Sequence, residues 1–141
     1  MTTGDQERML EAAVEARANA YAPYSGFRVG AAVLGRHGGV YAAGNVENAS
    51  YPVSLCAERG AIAAAVAAGE TAIDAVLILS DAEAPCPPCG MCRQALAEFG
   101  PDMAVVLVGA RGSARRTTLD ALLPDRFDPA FLDAATRERT P

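Results

Sequence analysis

The chain has 141 residues, 51% hydrophobic and 21% charged, which is globular composition at the length of one domain; a domain this size buries about 68–70% of its unfolded surface. All 12 basic side chains are arginine, and the absence of lysine excludes Schiff-base catalysis, lysine-anchored pyridoxal phosphate and the lysine of a phosphate-binding loop. A net charge of −5 is the wrong sign for a long nucleic-acid track, so a small substrate is expected and a nucleic-acid polymer is not.

Met1 to Glu7 lacks the basic end and apolar run of a secretory signal, and Pro23 and Gly26 interrupt the early chain before a membrane span could form. A cytoplasmic protein without membrane contact is the expectation. Asp5 to Tyr21 reads as an amphipathic helix, with Leu10, Ala13, Val14, Arg17, Ala18 and Tyr21 at helical spacing and Glu7, Glu11 and Glu15 mostly opposite. Thr3 and Gln6 have the spacing of a capping box. Ala22-Pro23-Tyr24-Ser25-Gly26 ends this helix, and Phe27 to Leu34 and Val40 to Val46 then flank the glycine-rich turn 35–39 as a β-hairpin. His37, the single histidine, sits in that turn, a poor place to fix a metal.

After the second strand, Asn45 and Glu47 share a face by the strand period of two. An amide beside a carboxylate suits sugar hydroxyls, and equally suits a polar strand end. Cys56 to Ala68 is a helix stopped at Gly69; apart from Glu58 and Arg59 it is nearly all alanine, isoleucine and valine, so it is expected to be buried all round, with cover from a second subunit as well as its own sheet. Ala75 to Ser80 and Met103 to Val108 are continuous apolar runs of the kind found in a sheet covered on both faces. With the helices between them they form two strand-helix-strand units of a three-layer α/β/α sandwich on a mixed, about five-stranded sheet, all in a single domain spanning 1–141. Residues 111–118 form a turn and edge strand with a solvated Arg111, Arg115 and Arg116 cluster. Thr118 to Leu123 form a short helix, and the tail carries Phe127 and Phe131 before a polar, frayed end.

Chemistry concentrates in Pro88-Cys89-Gly90-Met91-Cys92, with Cys56-Ala57-Glu58 upstream. Pro87 and Pro88 block a helix before Cys89, good helix formers follow, and Gly100-Pro101 stops them, so a helix starts near Gly90 with Cys92 in its first turn. Free N–H groups and the positive dipole end favour thiolate, the form that a metal binds. Cys56 is the third ligand. Three ligands leave a fourth position on zinc for water, the pattern of a catalytic site. Glu58, two residues beyond Cys56, can face that water as general acid/base, and Arg59 can hydrogen-bond thiolate sulfur and restore some Lewis acidity. Cys86 has the same spacing to Cys89 as Cys92 has. It lies in a proline-rich loop with fewer donors, which favours Cys56, Cys89 and Cys92 and leaves Cys86 a loop thiol or an oxidisable partner of Cys89.

Cys56-Ala57-Glu58-Arg59 with Pro88-Cys89-Gly90-Met91-Cys92-Arg93-Gln94 resembles the zinc-dependent cytidine deaminases, in the variant with cysteine rather than histidine before Ala-Glu. Residues 22–32, Gly44 to Tyr51 and Leu122-Leu123-Pro124 match the same pattern in order. The resemblance implies one zinc per chain and hydrolytic deamination of cytidine and deoxycytidine in pyrimidine salvage. It also implies a homotetramer whose active sites are completed by neighbouring chains. Asn45 and Glu47 would then hold the ribose 3′-hydroxyl and Phe27 would pack on the pyrimidine, though Phe27 also reads as a core residue. Ala57, Tyr51 and Phe127 would complete the substrate site. The rivals are a deaminase of another small molecule such as blasticidin S and, in a different class, a structural zinc or redox-sensing module. Glu58 discriminates against the latter, because a closed structural site has no water to activate.

Overall fold

The computed structural model describes residues 1–132. In chain order these form α1 (Thr3–Ala18), β1 (Val29–Gly35), β2 (Val40–Gly44), a 3₁₀ turn (Tyr51–Val53), α2 (Ala57–Ala67), β3 (Ile73–Ser80), α3 (Gly90–Ala97), β4 (Ala104–Val108), β5 (Ala114–Thr118) and α4 (Leu119–Leu122). The strands make one mixed sheet in the order β2-β1-β3-β4-β5, with only the β3 and β4 pair parallel. Strand alternation divides the core into two layers. Ala31, Val33, Val76, Ile78, Val105 and Leu107 point to the α2 and α3 side, whereas Ala32, Leu34, Leu77, Leu79, Val106 and Val108 pack on the side of Met9 and Ala13 of α1. This is the expected three-layer α/β/α sandwich. No helix among the described residues is long and apolar enough to cross a membrane.

Two expectations shift. The capping box joins Thr2 and Asp5 rather than Thr3 and Gln6: the Asp5 carboxylate accepts from both the N–H and the hydroxyl of Thr2, each at 2.8 Å, and the Thr2 hydroxyl accepts from the Asp5 N–H. A charged acceptor so close to a helix N-terminus outcompetes a neutral amide one residue on. The helix α1 ends at Ala18 rather than at Tyr21, which forms an isolated bridge with Val46, and its buried face carries Met9 and Ala13 while Leu10 and Val14 remain exposed. His37 stays in the solvated turn, its side chain 79% exposed, with its Nδ1 3.0 Å from the buried carboxylate of Glu70. Within the single chain its own sheet covers one side of α2: Ala57, Glu58, Ala61, Ile62 and Ala65 face inward and Ala63, Ala64, Val66 and Ala67 face out. The polar end of the tail, 133–141, lies outside the described residues.

Two glycines let α1 lie directly on the hairpin. A Cβ on Gly30 would run into the backbone carbonyl of Ala13 and the backbone of Arg17, and one on Gly44 would strike the carbonyl of Ala16. These obstacles are backbone, so they cannot rotate away. Gly30→Ala should therefore destabilise the protein by about 1–3 kcal/mol, the usual range for overpacking, read as a lower denaturant midpoint at unchanged slope. An unchanged midpoint would mean that α1 does not rest on β1 as described.

Candidate active site

β1 is antiparallel to both β2 and β3, so β2 and β3 run the same way and their carboxyl ends lie at one edge of the sheet. The chain leaves each end and returns as a helix that starts there. Cys56 is the N-cap of α2 and Cys89 the N-cap of α3. Cys92 is the third residue of α3, fully buried. The sulfurs of Cys56, Cys89 and Cys92 all lie within 4.8 Å of one another. Tetrahedral zinc with Zn–S of about 2.3 Å needs sulfurs about 3.8 Å apart, so this cluster fits one ion, with thiolates as a suitable soft donor set. Cys86 is outside the cluster, its Sγ 3.7 Å from the Pro87 carbonyl.

Charge is unevenly shared among the sulfurs. A hydrogen bond from Cys92, with smaller help from Arg59 and Cys89, brings the Cys56 thiol down to about 5 despite its burial. Cys92 carries the cost: donating to Cys56, burial and the charges of Glu58 and Cys56 hold its thiol far above the usual range. A cation entering here displaces protons, so its binding weakens as acidity rises. The Arg59 guanidinium donates to the Ser54 carbonyl at 3.1 Å. Desolvation works against its charge, but the sulfurs of Cys56 and Cys92 outweigh that and hold its proton more firmly than usual.

Glu58 is the second residue of α2 and 6% exposed. Burial, then the Cys56 charge, raises its carboxyl above the ordinary range, with its own backbone N–H, Cys92 and Arg59 opposing. It lines an inner cavity of about 300 Å³ with Ala57, Cys56, Cys89, Cys86, Phe27 and Ser80. Phe27 is 37% exposed and belongs to this wall, not to the core. An adjoining outer lobe of about 450 Å³ is lined by Asn45, Glu47, Tyr51, Tyr24, Ser25 and Ser54. Asn45 and Glu47 thus meet, as their strand spacing implies, and both also hold the loop beneath them. Asn45 accepts from the Val29 N–H at 2.9 Å and donates to the Phe27 carbonyl at 3.0 Å. One oxygen of Glu47 accepts the N–H groups of Tyr24 and Ser25, both at 3.1 Å, which leaves the other for a ligand. Hydrogen bonds from Ser25 and then Tyr24 keep this carboxyl below its ordinary range.

Tyr51 stands at the outer rim, 72% exposed and edge-on to Tyr24 with ring centres 6.0 Å apart. Phe127 is elsewhere. It stacks on Phe131 and lines a separate groove with Gln94, whose amide donates to the Phe127 carbonyl at 2.9 Å. The structure therefore brings together every expected site residue except Phe127. Two residues were not anticipated: Ser25, whose N–H helps to orient Glu47, and Ser80, which stands in the strand pattern at the end of β3 and lines the inner cavity.

Three clustered thiols, two of them opening with an acid onto one cavity, are the equipment of a metal-dependent hydrolase, since a closed structural centre uses four ligands and needs no acid. The kind of hydrolase follows from likeness. Residues 3–108 match the family model described as the cytidine and deoxycytidylate deaminase zinc-binding region, and the chain belongs to that family. It is similar to the cytidine deaminase of Halalkalibacterium halodurans, 42% identical over 124 residues that cover 87% of this chain and 94% of the relative. A crystal structure of cytidine deaminase from Burkholderia pseudomallei superposes with a TM-score of 0.83 at 45% identity, covering 90% of this chain and all of the other. The blasticidin-S deaminase of Bacillus cereus is more distant, 30% identical over 107 residues covering 70% of this chain and 76% of the relative.

The cluster geometry makes a sharp prediction about the cysteines. Cys86→Ala should retain its bound zinc through dialysis, whereas Cys92→Ala should lose most of it, as metal analysis per chain will show. Loss in the first variant and retention in the second would reverse the ligand assignment.

Proposed function

We propose that the chain hydrolyses cytidine and deoxycytidine to uridine and deoxyuridine, consuming water and releasing ammonia, as a single catalytic domain acting in cytoplasmic pyrimidine salvage. The observation that carries this reading is the buried carboxyl of Glu58 on the same cavity wall as Cys56 and Cys89, whose sulfurs cluster with that of Cys92 behind them. Cys56, Cys89 and Cys92 would hold one zinc per chain, which when bound acts as a Lewis acid and makes water a better nucleophile. Arg59 offsets part of the negative charge of the three sulfurs.

Glu58 does the proton work. It accepts a proton from the attacking water and delivers it to N3 of the base as the bond from oxygen to C4 forms. As the bond from C4 to the amine breaks, the same carboxyl relays the remaining water proton to the departing ammonia. A raised pKa helps the first of these transfers, because a carboxylate of ordinary acidity would take a proton from water reluctantly. The inner cavity takes the base, with Phe27 against its face and the backbone at Ala57 beside it. The outer lobe takes the sugar, where Asn45 has one N–H left and Glu47 one oxygen, enough to bind one hydroxyl. That pair favours an ordinary ribose or deoxyribose over a nucleoside antibiotic. Purified protein should release ammonia from cytidine and deoxycytidine but not from adenosine; turnover of none of them would defeat the reading.

Glu58→Gln keeps the volume and removes the proton acceptor. It should retain zinc and fold while losing turnover by about 10²–10⁴-fold or more, since one general acid/base serving several transfers lies at the upper end of that range. Near-normal rates would remove Glu58 from the mechanism.

The outward apolar face of α2, with Ala63, Ala64, Val66 and Ala67, supports a homotetramer in which small side chains allow close helix approach. Phe127, exposed and outside its own cavity, would then reach a neighbour's. Dilution should lower specific activity and thermal stability together, and a fully active monomer in sedimentation would contradict the assembly.

A further inference from the structure

We propose that Ser80 contacts the substrate, its hydroxyl forming a hydrogen bond with the pyrimidine base in the inner cavity; this rests on the cytidine-deaminating reading above. Ser80 is the last residue of β3 and only 1% exposed, yet its Oγ is buried without a hydrogen-bond partner among the described residues. Its backbone is in register with Val29, and its carbonyl accepts from Arg17 at 3.4 Å, so the strand end is well held. By the strand period Ser80 follows Val76 and Ile78, which belong to the core layer beneath α2 and α3. Its side chain therefore projects toward the start of α2, and there it lines the inner cavity with Ile78, Phe27, Glu58, Cys86 and Cys89.

A hydroxyl withdrawn from water and left unpaired costs more than the alanine or valine that would continue this face. Among the described residues one other buried side-chain atom has the same status, Nε of Arg59, and the sulfurs of Cys56 and Cys92 next to that guanidinium account for its position. The Ser80 hydroxyl has no hydrogen-bond partner among the described residues. Its cost is recovered when a polar ligand enters. On cytosine the C5 and C6 edge offers only C–H, so the partner is O2, N3 or the 4-amino group. A hydroxyl can serve any of these, because it rotates and both donates and accepts. Ser80 then helps to hold the ring in register with Glu58 and takes no part in proton transfer.

This assignment separates binding from stability in a way that a structural serine would not. With zinc-loaded protein, Ser80→Ala should raise KM for cytidine roughly 3- to 10-fold, the worth of one neutral hydrogen bond, while kcat stays within about twofold. The melting temperature should hold or rise, since the variant removes an unpaired buried hydroxyl. Titration of cytidine into Glu58→Gln and into Glu58→Gln with Ser80→Ala should show the same 3- to 10-fold weakening without turnover. An unchanged KM and dissociation constant beside an active parent enzyme would overturn the Ser80 contact alone. So would a weakening accompanied by a marked fall in melting temperature, which would mark Ser80 as structural. A parent enzyme inactive on cytidine would instead overturn the activity on which the inference rests.

Discussion

Everything at the site depends on two helix N-termini meeting at one edge of the sheet. The carboxyl ends of β2 and β3 lie side by side with β1 between them, and α2 and α3 begin from the connections that leave those ends. Crevices outside the carboxyl ends of strands are the usual ligand sites of such sheets. Here each helix contributes a cysteine as N-cap, and unpaired backbone N–H groups and two dipole ends point at the same few cubic ångströms. A cluster of three sulfurs that would repel one another as thiolates is tolerable in that field.

The buried charges around the cluster form a graded set. Cys56 is the readily ionised thiol, Cys92 the reluctant one, Glu58 a carboxyl pushed toward its neutral form and Arg59 a cation held in place by the sulfurs. Burial alone would suppress charge in all four. What keeps the set functional is proximity, because each member is partner or opponent to another. The same coupling explains why the acid belongs on the helix that Cys56 caps: one element then positions thiol, acid and guanidinium with no loop between them.

The outer lobe is built differently. Asn45 and Glu47 each spend part of their hydrogen-bonding capacity on the backbone of the 24–29 loop and keep the rest for a ligand. Lining the lobe and closing the loop therefore fall to the same side chains. The loop carries Phe27, so the residues that line the outer lobe also set the aromatic wall of the inner cavity.

By itself the sequence determined the starts of α2 and α3, the strand runs and most of the residues that meet at the cavity, because those follow from local chemistry. Pro87-Pro88 before Cys89, good helix formers after it and a period-two pair at Asn45 and Glu47 are readable without knowing any neighbour. The buried face of α1 was not readable, since Leu10 and Val14 are as apolar as Met9 and only the approach over Gly30 and Gly44 selects which of them lies inside. The pairing of His37 with Glu70 joins residues 33 apart. Phe127 sits on the outside of α3, a placement that no periodicity predicts. The unpaired hydroxyl of Ser80 is likewise a tertiary fact: a serine at a strand end is unremarkable until the fold encloses it beneath α2 with no partner among the described residues. Local pattern states what each segment can be, and packing decides which surfaces meet and which polar atoms are left for a ligand.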